Sequence, residues 1–575
     1  MATAPSEYPP PVQSHKEFVG PPTDPEDERI EVGVAIVGGG PAGLACAIRL
    51  TQLLEDDPQL AESLGEVPVA LVEKGKGPGS HLLSGGMMNP SALKKLLPDV
   101  SEEDWPTFGT VEKDRVYFMT RKRALPLLPT PPPFRNHGNH VTSVAQLGRW
   151  LSEKAEAAGV YILGETAATK LLVEDGQVVG VRSGDKGRGK DGSELSNFEP
   201  GSEVIAKATV LAEGTQGHLT GAALGHFDLA PEDPPQWELG VKEVWEVQKP
   251  LDRVIHSMNW PLRMSAKYRE FGGSFVYPMG EDKVSIGFVA GLDYRDATLS
   301  VHDLLQEFKT HPMIREILDG GKRIAWGAKT IPSGGYWAMP KRFWAPGLCI
   351  AGDGASMCNV TRLKGIHYAM HAGMFAAEAI FEGLKKGDTS DLSLYEEKVR
   401  DSEIESDFYK TRNQRQVFSK GFLVGGALAN AMEVTGGRIP PGRFKTHDDA
   451  TVDVFIGKRN KRYPKPDGKL TFDKLSSVFA TGNATRDDAP NHIRIQEKVP
   501  LEVALMWQYM CPAQVYEVPE EVLEGLESGN GGGDPKQLVD LHVTPSNCVQ
   551  CGAITAKGGR LTPPEGGDGP NYQVT

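Results

Sequence analysis

The chain has 575 residues, of which 62 are Lys or Arg, 76 are Asp or Glu and six are Cys. This length exceeds one simple core and predicts two or three domains, for which 39% hydrophobic residues suffice. The net charge of −14 argues against a nucleic-acid partner, because such partners are bound by neutralising phosphates. Six cysteines in so long a chain exclude the disulfide framework of small secreted proteins.

The N-terminal segment differs in composition from the rest of the chain. Seven prolines precede Glu26, and the segment lacks the apolar run of a signal peptide. It is also too acidic for a mitochondrial transit peptide, so residues 1–30 are predicted to form an extended, solvated tail. No run of about 18 apolar residues follows, which predicts that no helix crosses a bilayer. The uncharged run 421–432 (GFLVGGALANAM) has the length of a buried or interfacial helix.

A strand, a glycine-rich turn and a helix follow one another near residue 40. Residues 32–37 (VGVAIV) are typical of a buried parallel strand and lead into Gly38, Gly40, Ala42 and Gly43 of a G-x-G-x-x-G motif. In this context the glycines allow a tight turn, a close approach to a pyrophosphate and close packing of the helix on the strand. The helix N-terminus then faces the phosphates, which predicts a Rossmann-like dinucleotide site.

Two later segments extend the nucleotide site. A second strand, 67–74 (VPVALVEK), places Glu73 where an acidic residue holds a ribose hydroxyl, although it lies about 30 residues beyond the motif rather than the usual ~20. Residues 351–355 (AGDGA), between an apolar strand and a helical pattern, resemble the second flavin motif of FAD-dependent oxidoreductases, with Asp353 at the ribityl chain. Residues 208–219 resemble the segment that returns to the FAD domain. Fragments so widely separated favour FAD over the compact site of an NAD dehydrogenase.

The cysteines fall into two groups. The first group consists of Cys46, Cys349 and Cys358, which lie in apolar or small-residue settings and are predicted to be buried structural thiols. In the second group Cys511 precedes a proline, and Cys548 and Cys551 form a C-x-x-C motif. This pattern suits an iron–sulfur cluster or zinc, although the motif alone is also compatible with a disulfide or with no site. A [4Fe–4S] cluster needs four ligands, and this group supplies three.

From about residue 31 onward the chain resembles the electron transfer flavoprotein–ubiquinone oxidoreductase family. The specific segments are 136–151 (NHGNHVTSVAQLGRWL), 272–278 (GGSFVYP), 284–296 (VSIGFVAGLDYRD), 320–329 (GGKRIAWGAK), 463–478 (YPKPDGKLTFDKLSSV), 510–518 (MCPAQVYEV) and 563–572 (PPEGGDGPNY). The resemblance implies FAD and a [4Fe–4S] cluster as cofactors, electron transfer flavoprotein as electron donor, and ubiquinone or menaquinone as acceptor. It implies that electrons arrive singly and that FAD passes a pair to the quinone.

The resemblance also assigns individual positions. The family's quinone contacts come from the backbone of a Gly-Gly pair that matches Gly272 and Gly273, which could otherwise form a bulge or turn before a strand. Its cluster ligands match Cys511, Cys548, Cys551 and a fourth position that is Ile554 here. Isoleucine cannot ligate iron, so the cluster has another fourth ligand, has three irons or is absent. His542 and Thr555 are the nearby polar residues.

The fold implied is a mixed α/β architecture. A Rossmann-like FAD-binding domain interleaved with a mixed-sheet quinone-binding domain is expected over residues 31–400, a helical segment over 401–460 and a small ferredoxin-like iron–sulfur domain over 461–575. Family elements that dip into one leaflet match about 82–102 and 417–437, which implies peripheral attachment, although an ordinary packed helix is the alternative. The cytoplasmic face of a prokaryotic inner membrane is the expected location.

Two other functions fit parts of the same pattern. A FixC-like or geranylgeranyl reductase-like flavoprotein would share the FAD portion, but the segments at 463–478 and 563–572 favour the quinone oxidoreductase. A subunit without a cluster, which holds FAD and docks a redox partner, is the reading that Ile554 motivates. No Ser-His-Asp set, paired carboxylates or H-E-x-x-H motif stands out, as expected where cofactors carry the chemistry.

Overall fold

The computed structural model describes residues 3–11, 15–528 and 534–575. Strands and helices are numbered in chain order. Within these ranges nine strands form the largest sheet: β1 (Val19–Gly20), β2 (Ile30–Val37), β3 (Val69–Val72), β9 (Tyr161–Leu163), β10 (Ala168–Glu174), β11 (Gln177–Ser183), β14 (Glu203–Leu211), β20 (Trp344–Ala345) and β21 (Leu348–Ile350). The neighbouring strands β21, β14, β2, β3 and β9 run parallel. The inner strands of this row are largely apolar and buried, as is typical of parallel strands, whereas β9 at the edge is partly exposed.

A second, mostly antiparallel sheet has seven strands in the described chain. They are β6 (Asp114–Met119), β7 (Ala124–Pro126), β15 (Trp237–Glu246), β16 (Val254–Asn259), β17 (Gly272–Pro278), β18 (Lys283–Gly291) and β19 (Lys322–Pro332). Their spatial order is β19-β15-β18-β17-β16-β6-β7, with only β6 and β16 parallel among these pairs. In the sequence, β15–β19 of this sheet lie between β14 and β21 of the first sheet, and β6 and β7 lie between β3 and β9. The two sheets are therefore interleaved, as predicted.

Shorter strands pair locally. They are β4 (Met87–Met88), β5 (Thr107–Thr110) and β8 (His140–Thr142) in one sheet, and the pairs β12 (Lys186–Arg188) with β13 (Glu194–Glu199), β22 (Ile493–Arg494) with β27 (Arg560–Leu561), β23 (Lys498–Pro500) with β25 (Leu538–Asp540), and β24 (Tyr516–Glu517) with β26 (His542–Val543). The last three pairs belong to the C-terminal part of the chain.

Fifteen α-helices complete the described structure. They are α1 (Pro41–Glu55), α2 (Pro58–Ser63), α3 (Ser91–Leu96), α4 (Val144–Ala157), α5 (His218–His226), α6 (Val301–Lys309), α7 (Pro312–Leu318), α8 (Ile366–Lys386), α9 (Ser393–Arg400), α10 (Glu403–Thr411), α11 (Phe422–Val434), α12 (Lys474–Phe479), α13 (Leu501–Met510), α14 (Glu520–Ser528) and α15 (Ala553–Ala556). Helix α1 packs along α8, and Gly373 of α8 permits this because a Cβ there would lie 2.1 Å from the Ala42 carbonyl. Helix α2 occupies the long interval between the glycine motif and Glu73. No helix in the described ranges is both long and apolar enough to cross a membrane.

One apolar core joins the second sheet to the C-terminal residues. Trp326 on β19 and Phe288 on β18 are fully buried in the same cluster as Trp507 on α13 and Ile554 on α15. The mixed α/β fold is confirmed, with the C-terminal part packed against the second sheet.

The N-terminal segment is packed where the sequence predicted a solvated tail. Phe18 is buried, and its ring lies 5.3 Å from that of His218. Val19 pairs with Leu171 as an edge strand of the first sheet, and Glu17 forms an ion pair with Arg494 at 2.5 Å. Where it is described, the proline-rich segment forms only short 3-10 turns and one edge strand, but these few apolar and charged side chains contact the folded body. Residues 1–2 and 12–14 of the predicted tail lie outside the described residues.

Candidate functional site

A cavity of about 780 Å³ lies between the first sheet and one face of the second sheet. Most of the residues predicted to bind cofactor or quinone line it: Gly38, Gly40, Ala42, Glu73, Gly272, Gly273 and Asp353. Gly43 is the exception, because it lies beneath the loop and its Cβ would be 2.0 Å from the Gly38 carbonyl. The structure therefore gathers fragments more than 200 residues apart in the sequence into one space.

The glycine loop has the geometry that its sequence predicts. Gly38 has φ +109, and a Cβ there would lie 2.3 Å from the Ala212 carbonyl oxygen, so no other residue fits without movement. Gly40 is the N-cap of α1, with Pro41 in the first turn. A Cβ on Gly40 would have only Leu82 within 4 Å, which leaves the loop open toward the cavity. These features fit a dinucleotide pyrophosphate at the α1 N-terminus.

Glu73 and Asp353 lie on opposite sides of this loop. The buried Glu73 carboxylate accepts hydrogen bonds from the backbone N–H groups of Gly39 at 2.8 Å and Gly75 at 2.7 Å, which fix it at the end of β3. Asp353 lies in the turn after β21, where burial raises the pKa of its carboxyl to about 6. Together with the glycine loop, these groups fit the adenosine and ribityl portions of FAD.

The opposite wall of the cavity is the face of the second sheet. Gly272 and Gly273 begin β17 and pair with Ala290 and Val289 of β18, so they form part of the strand rather than a turn or bulge before it. Gly272 has φ +141, and a Cβ there would lie 2.0 Å from the Val289 carbonyl oxygen. The missing side chains leave peptide backbone facing the cavity.

Two titratable side chains flank the glycine pair on the same sheet face. His256 Nε2 lies 2.7 Å from the Tyr277 hydroxyl, and burial lowers the pKa of this histidine to about 3, so it is neutral. Lys242 donates to the Ser84 carbonyl at 3.0 Å, and burial lowers its pKa to about 7. Both line the cavity, and neither is singled out by a sequence motif.

The far end of the cavity is apolar. It is lined by Phe118, Leu127, Phe134, Phe418, Phe422 and Leu423. The Phe118 and Phe422 rings lie 6.3 Å apart, which brings α11 beside the β6–β7 edge of the second sheet. Exposed apolar side chains gather there, including Leu128 at 68% exposure and Leu423 at 74%.

The two predicted membrane elements differ in exposure. In the segment 82–102, Met88, Leu93 and Leu96 are buried, because α3 packs on α8. Helix α11 instead buries only Gly425 and Met432, and it exposes the apolar side chains of Leu423, Val424 and Val434. The prediction of an apolar surface therefore holds for α11, whereas the apolar residues of 82–102 belong largely to the core.

The second cysteine group lies behind one wall of the cavity, which Gln550 and Gly552 of the C-x-x-C loop line. Cys511, Cys548 and Cys551 are buried free thiols in one apolar cluster. Backbone N–H groups of residues 513 and 515 point at Cys511 Sγ from 3.4 and 3.5 Å, and that of residue 550 points at Cys548 Sγ from 3.4 Å. Such donors stabilise thiolates and cluster sulfurs.

Two lysines that are far apart in the sequence anchor the C-x-x-C loop. Lys74, beyond β3, donates to the Gln550 side chain at 2.7 Å, and Lys329 of β19 donates to the Gln550 carbonyl at 3.2 Å. The Thr330 N–H donates to the Cys551 carbonyl at 2.8 Å. Burial lowers the pKa of Lys329 to about 8, while the neighbouring thiols and Glu73 act in the opposite direction. The loop thus lies beside the dinucleotide end of the cavity, in a setting that favours negative charge.

The fourth ligand position carries no donor atom. Ile554 is buried on α15, packed against Gly559, whose own Cβ would lie 2.6 Å from Ile554 Cγ1. His542 is exposed on β26, and the Thr555 hydroxyl accepts a hydrogen bond from the Leu561 N–H at 3.1 Å. The described residues hold no group of three His, Cys, Asp or Glu arranged for a single metal ion. The three cysteines therefore fit as thiolate ligands of a cluster, whereas the residue at the fourth position, Ile554, cannot be a ligand.

The first cysteine group is only partly as predicted. Cys46 and Cys349 are buried in the core of the first sheet, where burial raises the pKa of both thiols. Cys358 is half-buried and lines the cavity, so it is not an enclosed structural thiol.

Similarity to known proteins follows the same parts of the structure. A family described as "ETF-QO, ubiquinone-binding" matches residues 237–331, which hold β15–β19 apart from the last residue. A second, described as "Electron transfer flavoprotein-ubiquinone oxidoreductase, 4Fe-4S", matches residues 468–573. A solved geranylgeranyl bacteriochlorophyll reductase-like protein from Thermoplasma acidophilum shares the fold, with a TM-score of 0.54 at 19% identity over 71% of this chain and 92% of that one.

Curated relatives match nearly the whole chain. The mitochondrial electron transfer flavoprotein-ubiquinone oxidoreductase of Caenorhabditis elegans is 38% identical, over 94% of this chain and 91% of the relative. The mitochondrial protein of the same name from Oryza sativa is 37% identical over 95% of this chain and 93% of the relative. The electron transfer flavoprotein-ubiquinone oxidoreductase of Pseudomonas aeruginosa is 35% identical over 95% of this chain and 99% of the relative. The chain therefore belongs to the electron transfer flavoprotein–ubiquinone oxidoreductase family.

Proposed function

We propose that this chain transfers electrons from reduced electron transfer flavoprotein to a membrane quinone, with FAD and an iron–sulfur cluster as resident cofactors. The observation that carries the proposal is the single cavity that joins the dinucleotide loop to the Gly272–Gly273 strand, with the cysteine loop against its wall. When bound, FAD supplies one- and two-electron chemistry and the cluster one-electron chemistry. The protein's residues bind, orient and shield these groups.

The dinucleotide end holds FAD. Gly38 and Gly40 admit the pyrophosphate to the N-terminus of α1, and Glu73 holds a ribose hydroxyl. Asp353 holds the ribityl chain from the turn after β21. FAD held by these residues would supply its redox chemistry in the cavity that the face of the second sheet also lines.

The sheet face and the apolar end of the cavity bind the quinone. The backbone of Gly272 and Gly273 contacts the head group, because no side chain covers these peptides. Aromatic side chains toward α11 surround the isoprenoid tail, among them Phe118 and Phe418. The apolar lining excludes water from the head group and gives the tail a route to the surface.

Three thiolates hold the cluster, and one iron lacks a protein thiolate. Cys511, Cys548 and Cys551 are the ligands, while Lys74 and Lys329 offset their negative charge. This proposal goes beyond the family pattern because of Ile554. It predicts an iron site that is open to an external ligand or lost on oxidation.

The exposed face of α11 attaches the protein to one leaflet, on the cytoplasmic side of a bacterial membrane. Leu423 and Val424 are 74% and 53% exposed beside the mouth of the cavity, at the β7 edge of the second sheet. Vesicle flotation tests this, with Leu423→Asp expected to lower bound protein severalfold. Phe479→Asp is the matched control, because Phe479 is 89% exposed on α12, which packs at the opposite β19 edge. Equal binding by both variants would exclude this face.

Reconstitution tests the function as a whole. Purified protein with FAD is mixed with reduced electron transfer flavoprotein and a short-chain ubiquinone, and quinol formation is followed. The expected result is quinol formation that scales with the amount of protein. No quinol at any protein level would refute the proposed function.

A further inference from the structure

We propose that Glu238 delivers protons to the bound quinone as the inner end of a buried charge cluster. The other members of this proton-storing cluster are Arg415, Asp293, Asp449 and Lys557. The inference rests on the proposed function, because it concerns the protons that must accompany the electrons to the quinone. Glu238 belongs to no motif and lies on β15, within the part of the chain that forms the quinone-side sheet.

Glu238 reaches the cavity close to the glycine pair. It pairs with Gly291 of β18, whose N–H donates to the Phe271 carbonyl at 2.9 Å. Two strand spacings of ~4.8 Å therefore put its backbone about 10 Å from Phe271, the residue before Gly272. Glu238 and Gly272 both line the cavity. The Glu238 side chain extends from this backbone position, so its carboxyl lies closer than the backbone to a quinone head group bound at the glycine pair.

The groove between these strands is kept open for Arg415. A Cβ on Gly291 would lie 2.6 Å from Arg415 Nη2, so glycine is needed for the guanidinium to lie across the strand. Arg415 sits 4.2 Å from the centre of the Phe271 ring and donates from Nη2 to Asp293 Oδ1 at 2.6 Å. Its strong hydrogen bond is thus made to Asp293 and not to Glu238.

Glu238 keeps an unpartnered oxygen. The residue is 2% exposed, and Oε1 has no hydrogen-bond partner in the described chain. Arg415 Nε approaches this oxygen to 3.5 Å, as an ion pair without hydrogen-bond geometry. A fully ionised carboxylate is costly in such a position, whereas a protonated one can donate into the cavity.

The charges of the cluster do not balance when every group is ionised. Three carboxylates, of Glu238, Asp293 and Asp449, face the two cations Arg415 and Lys557. All of these groups are buried, so one carboxylate holds a proton in preference to leaving an uncompensated negative charge. The half-buried Cys358 thiol also faces Glu238 and adds no positive charge.

Burial moves the pKa values of two cluster members, Glu238 and Lys557, toward neutral pH. Burial raises the pKa of Glu238 to about 7, and the negative charge of Asp293 adds to this effect while Arg415 opposes it. Burial likewise raises the pKa of Asp449 well above its usual value. It lowers the pKa of Lys557 to about 8, against the pull of Asp449, Asp293 and the nearby Asp448.

The cluster extends from the cavity to the protein surface. Asp449 is fully buried and accepts a hydrogen bond from the Trp237 N–H, next to Glu238, at 2.8 Å. Its Oδ1 is unpartnered within the described residues, and its carbonyl accepts from Lys557 Nζ at 3.3 Å. The preceding residue, Asp448, is exposed to solvent. Asp293 lies near both Asp449 and Glu238 and joins them within the cluster. In this proposal protons enter beside Asp448 and pass by Asp449 and Asp293 to Glu238 at the cavity.

The overall reaction is balanced: one quinone takes up two electrons and two protons and becomes one quinol. The electrons come from reduced electron transfer flavoprotein. In each half of the reaction the O–H bond of the Glu238 carboxylic acid breaks and an O–H bond forms on a quinone oxygen. A solvent proton, delivered as hydronium beside Asp448, passes by Asp449 and Asp293 and restores the Glu238 carboxylic acid before the second half.

The test compares two electron acceptors in the complete enzyme. Quinone takes up protons when it is reduced, whereas ferricenium ion takes up one electron and no proton. In Glu238→Gln we expect quinone reduction to fall about a hundredfold and ferricenium reduction to stay within about twofold of wild type. In wild type the quinone rate should fall as pH rises through about 7, and Glu238→Asp should regain part of it.

Glu203→Gln is the matched control, because Glu203 is also fully buried but lies on β14 away from the cavity. It should change neither rate. Infrared difference spectra with quinone bound should contain a carboxylic-acid carbonyl band in wild type and Glu203→Gln that is missing in Glu238→Gln. Equal losses with both acceptors, an unchanged quinone rate or a retained band would overturn the inference. Absence of quinol with wild type would instead refute the proposed function.

Discussion

Replacing Ile554 with cysteine supplies the thiol that the proposed cluster site lacks. Ile554 lies on α15, three residues after Cys551, and its side chain is 3% exposed. The position is therefore inside the cluster region and shielded from water. We expect Ile554→Cys to complete the ligand set and to hold about four irons per FAD through purification in air.

The substitution has a cost that can be estimated from the structure. Cysteine lacks about two methylene equivalents of the buried isoleucine, worth about 1.6 kcal/mol at ~0.8 kcal/mol each. The cavity left beside Gly559 raises the loss to about 2–3 kcal/mol. This loss should be seen in the free energy of unfolding of iron-free protein, since the new iron–sulfur bond offsets it in the loaded form.

The assay combines composition with spectroscopy. Iron, labile sulfide and FAD are measured after purification with and without air, and electron paramagnetic resonance spectra are recorded before and after dithionite reduction. Wild type in air should give the oxidised three-iron signal, and Ile554→Cys the reduced [4Fe–4S] signal. Ile495→Cys is the control, because Ile495 packs against the same Gly559 but lies outside the cysteine loop.

Two results would refute this reasoning. Wild-type protein that keeps about four irons per FAD in air would mean that a ligand other than residue 554 closes the site. An Ile554→Cys protein with no more iron than wild type would mean that residue 554 does not face the cluster. Iron gained equally by Ile495→Cys would indicate non-specific binding.

Three further substitutions test other parts of the structure. Gly272→Ala should lower the free energy of unfolding by about 2–4 kcal/mol and slow quinone reduction, because its Cβ would lie 2.0 Å from the Val289 carbonyl oxygen. Denaturant titration measures this loss. The control Gly280→Ala should lose less stability, because a Cβ there has nothing within 4 Å. Glu73→Gln should weaken FAD binding about tenfold in flavin-fluorescence titrations, since an amide accepts backbone N–H groups less strongly than a carboxylate; unchanged affinity would contradict the ribose role. Backbone N–H groups hold the pKa of Asp467 to about 2, so its stabilisation of about 1 kcal/mol is present above pH ~4 and lost as pH falls through 2. Asp467→Asn should remove that acid dependence from unfolding curves, and a retained dependence would refute it.

The parts of the site that depend on local sequence could be predicted. The strand before Gly38 and the helix after it are encoded by consecutive residues, because buried parallel strands and glycine turns have short-range signatures. The same holds for the turn at Asp353. The sequence of each fragment predicts its local backbone geometry, and the order of the fragments along the chain predicts the interleaved fold.

The partners of those fragments could not be predicted in the same way. Lys74 contacts Gln550 across 476 positions, and Lys329 contacts it across 221. Glu238 and Arg415 meet only because β15 and the segment after α10 fold together. No periodicity specifies such pairs, since each side chain is unremarkable in its own segment. In the sequence, Lys329 was marked only by its place in the family-like segment 320–329.

The shared core of the second sheet and the C-terminal residues has a kinetic consequence. Phe288 and Trp326 belong to the same buried apolar cluster as Trp507, so the quinone-side sheet cannot finish burying its apolar face until the last quarter of the chain has been made. Contacts so distant in sequence slow folding and prolong the exposure of apolar surface to aggregation. During synthesis, the yield of folded protein should therefore depend on chaperones, and ligands that bind one half should raise the midpoint of a common unfolding transition.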